Sequence, residues 1–80
     1  MLIEIVSPER KVFEGEIRLV QAPGVNGSFE LLNNHAPIIS TLQEGTVRLI
    51  TSSEDEVTFE INSGILECLN NKVIILAELR

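Results

Sequence analysis

His35 is the only histidine in the chain, and it is the one side chain suited to general-base work near neutral pH. The hydroxyl and thiol groups it could activate are Ser7, Ser28, Ser40 and Cys68, and none of them stands in a nucleophile-elbow pattern. Cys68 lies inside the apolar stretch Ile65–Leu69, the setting of a small buried hydrophobe. It is also the sole cysteine, so no internal disulfide can form, and one cysteine plus one distant histidine do not make a metal site. Carboxylates are plentiful, yet no spacing singles out a pair for acid–base chemistry. Pro23-Gly24-Val25-Asn26-Gly27 contains glycine but lacks a following Lys-Ser/Thr, so it reads as a wide turn rather than a phosphate cradle. His35 is expected to bond backbone and fix the turn before Ala36-Pro37, or to touch a partner. No catalytic residue, cofactor or metal is expected.

The elements that would position these groups follow a period of two. Val57, Phe59 and Ile61 alternate with polar residues, and Phe13, Ile17 and Leu19 do the same against Glu14, Glu16 and Arg18. Val47 and Leu49 alternate with Thr46 and Arg48, while Leu2–Val6 and Val73–Ala77 are short apolar runs. The second run is nearly continuous, as in a strand covered on both faces. Turn signals fall at Ser7-Pro8-Glu9-Arg10, Pro23–Gly27, Asn33-Asn34, Glu44-Gly45, Ser52–Asp55, Ser63-Gly64 and Asn70-Asn71. Asn tolerates positive φ, so Asn70-Asn71 suits a two-residue hairpin. Ala36–Leu42 comes nearest to a helix, but Pro37 and the β-branched Ile38, Ile39 and Thr41 weaken it. The pattern predicts an all-β, two-sheet sandwich of about eight to ten short strands, one domain over residues 1–80, with no C-terminal helical domain.

Twelve acidic against six basic residues give a net charge of −6. That balance opposes binding to nucleic acid or to anionic lipid headgroups, and the absence of Trp and Tyr removes the usual stacking platforms for bases and sugars. Met1-Leu2-Ile3-Glu4 lacks the features of a signal peptide, and no apolar run approaches a membrane span. A domain of 80 residues has little core to spare, so a protein partner is the expected source of further stability.

Pro23-Gly24-Val25-Asn26-Gly27-Ser28-Phe29-Glu30-Leu31-Leu32-Asn33-Asn34-His35-Ala36-Pro37 resembles a signature of the epsilon subunit of F-type ATP synthases. Val6-Ser7-Pro8-Glu9 and Val12-Phe13-Glu14-Gly15 resemble that family's opening strands. Leu42-Gln43-Glu44-Gly45-Thr46-Val47-Arg48, Ser63-Gly64-Ile65-Leu66-Glu67 and Asn71–Glu78 resemble its later ones, so the likeness runs in order along essentially the whole chain. Glu30 stands where a small glycine is usual, and Asn33-Asn34 replaces Pro-Gly. The family typically continues after the sandwich into a helical hairpin, and none is expected within these 80 residues.

The resemblance implies a non-catalytic rotor component of the central stalk, clamping the gamma subunit to the membrane c-ring and touching the catalytic alpha/beta head only indirectly. It implies a peripheral position at the cytoplasmic face of the bacterial inner membrane, with no direct membrane insertion and no nucleic acid. Val25, Asn26, Gly27, Ser28, Phe29 and Glu30 are then the candidates for the c-ring side, within a loop Val25–Asn33. Ser7, His35, Ala36 and Pro37 are the candidates for the gamma side. The nucleotide-binding and inhibitory activities implied for the hairpin are not expected of these 80 residues. The competing readings are a swinging-arm carrier with Lys72 as its modified lysine, a small enzyme using His35, and a ligand-binding sandwich.

Overall fold

The computed structural model describes residues 1–80, which form seven strands and no helix. They are β1 (Leu2–Val6), β2 (Lys11–Gly24), β3 (Gly27–Leu32), β4 (Ile38–Leu42), β5 (Gly45–Thr51), β6 (Glu56–Leu69) and β7 (Lys72–Leu79). The all-β sandwich expected from the alternation is present. The strands number seven rather than eight to ten; β2 and β6 are each 14 residues long, and β6 runs straight through an expected break. Ser63-Gly64 is not a turn but lies inside β6, and residues of the helix candidate form β4.

The two long strands each serve both layers. The first half of β2 pairs with β1 and its second half with β3 and β5. The first half of β6 pairs with β5 and its second half with β4 and β7. Only β1 and β7 run parallel. Pairing therefore passes from β1 to β7, β6, β5, β2 and back to β1 without a gap, which leaves few of the free edges that invite aggregation.

Each long strand crosses between layers at a bulge. In β2 the register against β5 shifts between Ile17 and Leu19, and in β6 the register against β7 shifts between Ile61 and Ser63. An extra residue reverses which face the following side chains take. In β2 the inward set passes from Ile17 to Val20 and Ala22, so Leu19 does not share a face with Ile17 as the plain alternation implied. In β6 it passes from Ile61 to Leu66 and Cys68, which turns Ile65, Glu67 and Leu69 outward.

Sixteen buried apolar residues fill the space between the layers, among them Ile3, Ile5, Ile17, Val20, Leu31, Leu49, Ile61, Leu66, Val73 and Ile75. Phe13 and Phe59 meet edge to face at 5.8 Å beside them. At Gly64 the neighbouring strand comes so close that a Cβ would stand 2.8 Å from the Leu76 carbonyl oxygen. Cys68 is buried among this set, and burial pushes its thiol above the ordinary range because the thiolate would lose its hydration. Its contribution to stability is complete below the ordinary thiol range and declines as pH climbs above it.

Two outcomes follow. Gly64→Ala lowers unfolding stability in urea by about 1–3 kcal/mol because backbone must move, whereas Gly15→Ala changes it by less than about 1 kcal/mol. Cys68 in the folded protein resists iodoacetamide and reacts only as fast as the protein opens, so the labelling rate rises with added urea.

Candidate functional site

The groups that could have done chemistry are dispersed. Ser7 is buried just after β1, where its Oγ donates to the Arg10 carbonyl at 3.1 Å and accepts from the Arg10 amide at 3.2 Å. That reciprocal pair closes the β1–β2 turn and occupies the hydroxyl. His35 is exposed, with its amide donating to the Leu32 carbonyl at 3.2 Å and its Nδ1 to the Ala36 carbonyl at 2.7 Å. It fixes its own corner, as the sequence suggested. Cys68 faces the core, and Ser28 bonds Gln21 across the β2–β3 ladder. Lys72 is in the ladder opposite Leu69 and Leu2; the tip of the hairpin is Asn70-Asn71, with φ of 51° and 59°.

The segment expected to be a loop from Val25 to Asn33 is mostly strand. Only Val25 and Asn26 form the turn, and Gly27–Leu32 is β3, paired in register with β2 from Gly24 opposite Gly27 to Leu19 opposite Leu32. Gly27 closes the turn at φ 125°, a conformation that favours glycine. Val25 is the exposed apolar residue of this tip, and its amide donates to the Thr41 carbonyl at 3.0 Å, tying the hairpin to the end of β4. Phe29 is half-buried, with its ring over Gly24, so it serves the core more than the surface. Glu30 sits in regular strand and faces Arg48, which also holds Gln21 at 2.9 Å and Glu56 at 3.2 Å.

The Asn33-Asn34 pair does what a proline–glycine turn would do, with added ties. Asn34 takes φ 64°, its amide donates to Asn71 Oδ1 at 2.6 Å, and Asn33 Oδ1 accepts from the Met1 amino group at 2.6 Å. These bonds join the corner before His35 to the β6–β7 turn and to the start of β1.

The cross-strand register shows which of the expected contacts lie together. Val6, Leu76, Ile65 and Thr41 share one rung across β1, β7, β6 and β4, while Leu2, Lys72 and Leu69 share another four residues along. Ser7 follows the first rung and His35 lies beyond the second, so these two gamma-side candidates stand at opposite ends of one sheet, more than about 13 Å apart along the strands. The Val25 tip is at the Ser7 end, beside Thr41.

What lies between them is an apolar face that no local sequence motif announced. Of the seven large apolar side chains left exposed, Leu2, Ile39, Ile65, Leu69 and Leu76 are on the outer side of this sheet, and Ile39 is 72% exposed. A groove of about 650 Å³ opens at its Ser7 end, with Val6, Leu76, Ile65, Thr41 and Gly64 among its lining residues. The near-continuous apolar run of β7 was the available signal: Val73, Ile75 and Ala77 face the core, and Ile74 and Leu76 face this surface. The opposite layer is polar outside, crossed by Arg48 with Glu30 and Glu56, and by Arg18 with Glu54. An exposed apolar patch of this extent, set against a polar opposite layer, is the kind of surface that marks an interaction site.

Residues 1–79 match the family model described as the β-sandwich domain of the ATP synthase delta/epsilon chain. The chain is 46% identical over 76 residues to an ATP synthase epsilon chain of Chlorobaculum tepidum, covering 95% of this chain and 86% of that one. It is 37% identical to an epsilon chain of Brevibacillus brevis, of which it spans 59%. Among solved structures, a chain in the Euglena gracilis mitochondrial ATP synthase assembly of OSCP, F1 and c-ring superposes with a TM-score of 0.90 at 13% identity, over 96% of this chain and 49% of that one. A chain in the Tetrahymena thermophila mitochondrial ATP synthase central stalk and c-ring superposes with a TM-score of 0.81 at 17% identity, over 98% and 63%.

Proposed function

Because this chain belongs to the family of ATP synthase delta/epsilon chain β-sandwich domains, we propose that it is a non-catalytic central-stalk subunit of an F-type ATP synthase that helps hold the gamma subunit to the c-ring. The observation that carries this reading is the apolar outer face of β1, β7, β6 and β4, framed by Ser7 at one end and by His35, Ala36 and Pro37 at the other. That face seats gamma. The Val25-Asn26 tip, with Gly27, Ser28 and Glu30 behind it, meets the loops of the c-ring. The epsilon chains matched in sequence, from Chlorobaculum tepidum and Brevibacillus brevis, are bacterial, which supports a peripheral position at the cytoplasmic face of the inner membrane. Torque passing between ring and gamma needs a body that does not deform, and an interior packed like an organic crystal provides it. Regulation by a helical segment would need helix, and these 80 residues form none.

Ile39→Asp or Leu76→Asp weakens capture of the gamma subunit at least about tenfold while circular dichroism and urea stability stay near those of the parent, since both side chains are already exposed. Val25→Glu weakens retention of the c-ring and leaves gamma binding intact; Phe29 is a poor choice for that test because it packs on the core. Unchanged gamma capture by both face variants contradicts the reading. Added to a matching catalytic complex that lacks it, the chain leaves ATP hydrolysis largely unchanged; strong inhibition contradicts the assignment of a purely mechanical role.

A further inference from the structure

Glu67 lies in the middle of the apolar face. Its rung runs Glu4, Ile74, Glu67, Ile39, so it has Ile74 on one side and the highly exposed Ile39 on the other, with Ile65 and Leu69 before and after it on its own strand. The two carboxylates on that rung are treated differently. Glu4 is held by Lys11 Nζ at 2.8 Å. Glu67 makes no ion pair and no side-chain hydrogen bond, and Lys72, one outward rung away, does not reach it. In the free chain, water satisfies this carboxylate. When an apolar surface covers the face, that water must leave, and an ionised carboxylate without a counter-charge is costly to bury.

Resting on the proposal that this face seats gamma, we infer that Glu67 is a specificity determinant whose occupant is a basic side chain, arginine or lysine, set within an otherwise apolar patch of the partner. The charge of the chain points the same way: at −6, with Glu78 also unpaired at the rim of the groove, it attracts a basic surface and repels a second copy of itself. The isolated carboxylate has a second effect of the same origin. It penalises any purely apolar surface that would otherwise cover Ile39 and Ile65, so it excludes wrong partners as well as orienting the right one.

The test measures binding of the full chain to purified gamma subunit across a series of salt concentrations, for the parent, Glu67→Gln and Ile39→Ser. Glu67→Gln keeps size and shape but removes the charge; it should raise Kd at least about tenfold and flatten the salt dependence, while Ile39→Ser weakens binding and keeps the parent's salt slope. Weakening by Ile39→Ser with unchanged or tighter binding by Glu67→Gln overturns the basic occupant and leaves the docking face standing. Unchanged binding by both variants removes the docking face and this inference with it. Self-association of Glu67→Gln without loss of gamma affinity also overturns it, because the carboxylate would then serve only to keep the free chain apart.

Discussion

Leu69 and Lys72 pair across the two-residue turn Asn70-Asn71, and from that rung the ladder between β6 and β7 sets Leu66 opposite Ile75 and Gly64 opposite Ala77. Everything else in the molecule depends on that register. A slip of one residue would send Ile65, Glu67 and Leu69 into the core and bring Leu66 and Cys68 out. Two features oppose the slip. The paired asparagines hold the positive φ values that a tight turn matching the twist of the strands requires. At the far end only glycine allows β7 to approach as closely as it does at position 64. Once β6 and β7 are in register, β1 joins in parallel and β4 antiparallel, and one face of the resulting sheet fills the core while the other carries apolar side chains into solvent.

The two layers then divide the work. On the outside of the layer containing β2, β3 and β5, Arg48 gathers Gln21, Glu30 and Glu56, and Thr46 donates to Glu60, so that surface is stitched by exposed pairs worth little individually but well hydrated. The other layer keeps few such pairs, Lys11 with Glu4 and Glu14 and the Met1 amino group with Glu16, and they lie toward the β1–β2 side. There the hydrogen bond from Lys11 holds the Glu4 carboxyl below its usual range and the same bond holds the Lys11 amine above its own. An 80-residue sandwich gains only a modest margin from its core. A contiguous row of exposed isoleucines and leucines is the feature that marks an interaction surface on so small a domain.

Much of the fold was legible in the residues. Alternation in Val57, Phe59 and Ile61, the turn at Asn70-Asn71 and the absence of helical period predicted the all-β class, and the ordered family motifs predicted the subunit type. The alternation misled at Arg18, where one extra residue inverts the pattern; a bulge has no composition of its own, so Leu19 was read onto the face of Ile17. Ser63-Gly64 looked like a turn because glycine serves close approach as readily as reversal. The candidate contacts came from the family resemblance at matching positions along the chain, which cannot tell that Ser7 and His35 lie at opposite ends of one face or that Phe29 turns inward. The exposed apolar face is assembled from four strands, and only the uninterrupted apolar run of β7 hinted at it.

Side-chain oxidation by hydroxyl radicals, read by mass spectrometry with and without bound gamma subunit, tests the central claim most directly. The account predicts that Ile39, Ile65, Leu69 and Leu76 lose labelling in the complex while Leu32, exposed on the opposite layer, keeps it. Undiminished labelling of those four residues in a complex that retains gamma, or protection confined to the side of Leu32, would contradict it.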